Sequence, residues 1–160
     1  MFLQRIRDKL IHYRLTGECM RELLRVRRIL LHKPFNETAR MLRQPLTEAS
    51  PPIDADRTVR KVRGAMGSIH RWVPWKPTCL VRAIAAHHVL ARRMIVSHLV
   101  LSVTPASDKA VDAHAWLEAG GLVVTGRREK ATHVPIYTFS NAVGEMEQNI
   151  AEERTLSCSR

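Results

Sequence analysis

Cysteine is scarce in this chain: Cys19, Cys79 and Cys158 are its only three, far apart and with no CxxC pair. That spacing excludes a disulfide framework and a thiolate zinc cluster, and a reducing compartment is the simplest setting. Aromatic residues make up only 5% of the chain. With no RRM, KH, zinc-finger or helix-turn-helix signature beside them, nucleic acid is not the expected partner. No window of about 20 apolar residues occurs, which excludes a membrane-spanning helix. The opening MFLQRIRDKLIHYRL lacks the unbroken apolar stretch of a secretory signal, because Arg5, Arg7, Asp8 and Lys9 interrupt it. These absences point to a cytoplasmic protein whose basic amphipathic first helix could at most associate weakly with a membrane surface. Acidic residues are also outnumbered, 15 against 26 Lys+Arg, for a net charge of +11 and a pI near 10.6. Such an excess favours anionic partners, and a docking surface for an acidic peptide or protein accounts for it.

What is present fits one domain of 160 residues, 45% of them hydrophobic. Residues 1–50 read as a basic helical region. Phe2, Leu3, Ile6, Leu10 and Tyr13 share one helical face, with Gly17 as a stop, and Met20, Leu23, Leu24, Ile29 and Leu30 mark a second helix ending before Pro34. A short third helix is expected around Ala39, Met41 and Leu42, followed by the proline-rich linker QPLTEASPPID. Residues 54–153 form the expected core. Asp54 can cap a helix to about His70 with Val59, Val62, Met66 and Ile69 inward, and Thr78 can cap another from Cys79 to about Met94. The period then becomes alternating, with strands expected at 97–105, 111–118, 122–126 and 134–139, a Gly120-Gly121 hairpin turn, and a polar helix from Asn141 to Glu153. Helices first and antiparallel strands after means α+β.

Cys79 is the first candidate for chemistry, because a helix start offers free N–H groups and the positive end of a dipole, both of which favour a thiolate; Lys76 adds to that field. The plain alternative is a small apolar residue facing the core. A cysteine nucleophile needs a base, and His114 stands in an expected strand whose alternation puts Asp112, His114, Trp116 and Glu118 on one face. His87 and His88 lie eight and nine residues past Cys79 on the same helix, about 12–13 Å away, too far to share a metal with it. They read as surface or packing residues, and neither a metal nor another cofactor is expected. The basic clusters at Arg21, Arg25, Arg27 and Arg28, at Arg57, Arg60, Lys61 and Arg63, and at Arg92 and Arg93 read as solvated faces, the last pair also suiting a helix C-terminus.

The segments PWKPTCLVRAIAAHHVLARRM and AHAWLEAGGLVVTG together resemble the lasso-peptide leader peptidases, transglutaminase-like cysteine proteases related to the C-terminal domain of the microcin-maturation protease. The resemblance spans about residues 72–139 and rests on a W-x-P-T-C-L-x-R-A approach to a helix and an H-A-W-x-E strand before a glycine turn. It implies a papain/transglutaminase-like fold, with the nucleophile-bearing helix packed on a small antiparallel sheet. It also implies Cys79 as nucleophile, His114 as base, and removal of the leader from a ribosomally made precursor so that a separate cyclase can close the core peptide. The implied partners are that precursor, a separate leader-binding protein and the lasso cyclase. Trp72, Trp75, Lys76 and Trp116 are the implied substrate contacts, with a core anchor the equal alternative for Trp116. Where the family usually places an orienting aspartate, this chain has Gly126, leaving Asp112, Glu118 and Glu129 as candidates for the orienting acid. Two other readings stay open: an acyl or amide transferase using the same pair, and a non-catalytic module binding peptide or nucleic acid.

Overall fold

The computed structural model describes residues 2–34, 37, 39, 42, 52–104 and 112–142. Helix α1 (Phe2–His32) is followed by α2 (Ala55–Ser68), a 3-10 turn (Ile69–Arg71), α3 (Cys79–Ala91), strands β1 (His98–Val103), β2 (Ala113–Ala119) and β3 (Leu122–Thr125), the one-turn helix α4 (Arg127–Lys130) and strand β4 (Val134–Ser140). The fold is α+β: α2 and α3, with α1 packed on them, cover one face of a four-stranded antiparallel sheet of order β3-β2-β1-β4. Ala39 and Leu42 are helical and buried, while Met41, Cys158 and the expected 141–153 helix after Ala142 lie outside the described residues.

The expected break at Gly17 does not occur. Leu15, Cys19, Glu22, Leu23 and Val26 form one buried stripe that passes Gly17 without interruption, so packing on α2 and α3 offsets the roughly 1 kcal/mol that a mid-helix glycine costs. The other stripe fares differently: Leu10 and Tyr13 are exposed, because α1 meets its partners on the opposite side. In α2 the inward set is as the spacing predicts, with Val59, Val62 and Met66 buried and Ile69 continuing it in the 3-10 turn. Asp54 precedes α2 but makes no side-chain cap bond; its carbonyl accepts from the N–H of Thr58 instead.

Helix α3 is capped as expected, the Thr78 hydroxyl accepting from the Val81 N–H at 3.4 Å. At its other end the chain turns through Met94 with φ +56°, and the Ile95 and Met94 amides donate to the carbonyls of Leu90 and Ala91. This is a Schellman turn with methionine where glycine is usual. It turns the chain back beside α3, where Ser97 hydrogen-bonds His87, and leads into β1 and its antiparallel partner β2. Gly120 and Gly121, with φ of +54° and +71°, turn β2 into β3. Ala115, Leu117 and Ala119 join the core beneath the helices, together with Leu99, Val124 and Phe139.

Candidate active site

Cys79 is the first residue of α3 and is half-buried against the core. The amides at the start of a helix have no carbonyl one turn earlier to bond. Here Thr78 serves Val81 through its hydroxyl and Arg82 through its carbonyl, so among the described residues the N–H groups of Cys79 and Leu80 are the donors left at the helix start. The approach through Trp72 to Lys76 is irregular. Trp72 is exposed, and the Trp75 ring lies under the Arg27 guanidinium of α1, 4.5 Å from its centroid. Arg27 is therefore engaged by an aromatic face rather than solvated. The Trp75 indole N–H is buried with no hydrogen-bond partner among the described residues, and Lys76 is exposed.

His114 lies one residue into β2, paired with Ser102 of β1, whose hydroxyl donates to the His114 carbonyl at 3.3 Å. Strand alternation settles which way it faces. Ala115 and Leu117 point to the helices, so His114, Trp116 and Glu118 point to the opposite face of the sheet. On that face Trp116 is 2% exposed, and its indole N–H donates to Glu118 Oε1 at 2.7 Å; the same oxygen pairs with Lys130 at 2.7 Å. Glu118 is thus committed to Trp116 and Lys130, and Trp116 is an anchor under the β3–β4 connection. The side chain of Glu129 lies outside the described residues.

A residue that nothing in the sequence singles out stands beside His114. The His133 ring centroid is 5.2 Å from that of His114, its Nδ1 is 2.9 Å from the Thr132 hydroxyl, and its Nε2 is 3.9 Å from Asp112 Oδ2. Three polar groups, Asp112, His114 and His133, thus gather at the end of the sheet where β2 begins. His133 precedes β4, and β4 adds to the edge of β1 away from β2. The two imidazoles meet across Ser102, a small residue 1% exposed. Nothing local in KATHVP signals this; it follows from the strand order.

Gly126 has φ +74°, and a Cβ there would stand 2.6 Å from the Cβ of Trp116 and 3.0 Å from the Ala115 carbonyl oxygen. The backbone packs directly on β2, leaving no room for an aspartate. Neighbouring Thr125 is 4% exposed, with its hydroxyl unpartnered among the described residues.

His87, His88 and Cys19 serve the structure. His87 is 2% exposed, hydrogen-bonded to Ser97 at 2.9 Å, and burial with the nearby charge of His88 pushes its pKa down to about 4. Burial also lowers His88, against the opposing pull of Glu22. Cys19 is fully buried, and burial, aided by the Glu18 charge, pushes its thiol up to about 12. Among the described residues no group of three or more metal-binding side chains is close enough to hold an ion, and no helix is long and apolar enough to cross a membrane.

Residues 20–138 match the transglutaminase-like superfamily. The chain belongs to that superfamily. Its members are usually enzymes, cysteine proteases or transferases. The match begins inside α1 and takes in Cys79, His114 and His133. No curated protein and no solved structure gives a match.

Proposed function

We propose that this transglutaminase-like protein is a cysteine peptidase that removes the leader from a lasso-peptide precursor, acting with a separate leader-binding protein and ahead of the cyclase. The capped opening of α3 carries the reading: it presents a half-buried thiol beside two N–H donors that no helical carbonyl serves.

In this reaction His114 takes the Cys79 proton and the sulfur bonds to the scissile carbonyl carbon. The carbonyl oxygen, now negative, accepts from the N–H groups of Cys79 and Leu80. Collapse breaks the C–N bond, and His114 returns the proton to the departing amine, the new terminus of the core peptide. Water, deprotonated by His114, then attacks the thioester, releasing the leader carboxylate and restoring the thiol. Because His114 faces away from α3, the reaction requires the pair to meet around the open end of β2 and not through the sheet; His133 and Asp112 stand beside His114 there.

The test is mass spectrometry of lasso precursors incubated with this protein and the leader-binding protein from the same source. Cleavage at the leader–core junction, lost in Cys79→Ala and in His114→Ala, is the expected result. A product lacking the mass of added water identifies a transferase instead. Intact precursor with a folded protein and bound leader moves the function to peptide binding without catalysis.

A further inference from the structure

Away from Cys79, α1 and α2 enclose an open groove of about 750 Å³, lined by Ile11, Tyr13, Arg14, Gly17, Arg21 and Lys61 beside the Glu18–Arg93 pair. Its walls combine apolar surface with cations of unequal standing. Arg93 is bound to Glu18, which neutralises both, whereas Arg14, Arg21 and Lys61 make no ion pair among the described residues. Ile11 and Tyr13 are 44% and 64% exposed.

Gly17 is the informative residue. It sits inside α1, where glycine costs about 1 kcal/mol relative to alanine, yet nothing lies within 4 Å of a Cβ placed on it. Packing within the fold therefore does not demand a glycine here. What its bareness does is keep the groove open between Arg14 and Arg21.

We infer that this groove binds an acidic peptide segment, its carboxylates on Arg14, Arg21 and Lys61 and an apolar side chain over Gly17. A concave, partly apolar site suits a peptide better than a flat lipid surface or a phosphate backbone. The site stands whether or not Cys79 is a nucleophile; only its relation to the cut rests on the peptidase reading. Arg93 lies 14 residues beyond Cys79, so the groove is about 20 Å from the thiol along α3. A substrate held there needs about six or more extended residues between its acidic segment and the scissile bond.

The experiment is fluorescence anisotropy of the full chain with a fluorescein-labelled peptide of about twelve residues alternating glutamate and leucine; a lysine-leucine peptide is the control. We expect saturable binding of the acidic probe alone, weakened about tenfold or more by Gly17→Leu and by the pair Arg21→Glu and Lys61→Glu. Arg28→Glu, exposed on α1 outside the groove, should change it less than about threefold. Helical circular dichroism confirms that each variant is folded. Absence of saturable binding overturns the inference. So does binding that ignores Gly17→Leu and falls as much with Arg28→Glu as with Lys61→Glu, which would mark a diffuse basic surface suited to lipid headgroups or phosphates. No cleavage is read, so a protein that binds the probe but cuts nothing counts against the peptidase reading alone.

Discussion

The two ends of α3 are built on opposite plans. At its C-terminal end the side-chain charges are tied into pairs: Glu22, 3% exposed, receives His88 at 2.8 Å and Arg92 at 2.9 Å, while Glu18 is gripped by Arg93. The Schellman turn closes the same end through the backbone. At the N-terminal end the cap serves Val81 and leaves two amides beside a half-buried thiol. One end fastens the helix to α1, and the other holds unspent donors. A helix can present a reactive terminus only if something else fixes its position, and here that is done one helix length away, where pairing cannot interfere with the chemistry.

The largest expected effect contrasts the thiols. In native protein at neutral pH, iodoacetamide should label Cys79 about a thousandfold faster than Cys19, whose raised pKa leaves almost no thiolate. Equal rates, read by peptide mass spectrometry, would erase the contrast between a site and a core residue.

Gly126→Asp tests whether the missing carboxylate can be restored. We expect no gain in cleavage and a loss of about 3 kcal/mol in denaturant unfolding, since the residue must hold φ +74° and displace Trp116.

Acid should weaken the fastened end. His87 and His88 have folded pKa values below their unfolded ones, so unfolding takes up protons and stability falls as pH drops below about 6.5; for His87 alone this is about 3 kcal/mol by pH 4. Arg93 holds the Glu18 carboxyl below its usual range. Burial pushes Glu22 up, but the bonds from His88 and Arg92 outweigh it. Their contribution is present above the unfolded carboxylate pKa and is lost as pH falls through the lowered folded values. A Tm that is flat from pH 7 to 4 would contradict this reading.

Glu22→Ala should cost about 2–3 kcal/mol by leaving His88 and Arg92 facing an emptied site, discounted because both partners reach solvent. Iodoacetamide labelling of Cys79 should change little if the two ends are as separate as they look. Smallest is Met94→Gly, which should raise stability by about 1 kcal/mol in thermal unfolding by relieving a left-handed methionine.

Much of this was legible beforehand because it is local. The Thr78 cap, the inward stripe of α2, the four strands and the glycine hairpin each depend on residues within a few positions of one another. The same locality misled at Gly17, where a stop signal was outweighed by a stripe that continues through it. It was incomplete at Arg92 and Arg93, which suit the helix C-terminus, Arg93 donating to the Val89 carbonyl, but also meet carboxylates about 70 residues earlier.

The sequence by itself therefore determined the α+β class, the placement of Cys79 at a helix start and of His114 on a strand, because capping and periodicity are set by neighbours in the chain. Only the tertiary structure decided that His114 faces away from α3, that His133 joins it, and that Gly126 has no room for an acid. Those outcomes depend on strand order and backbone contact, which arise when distant segments meet.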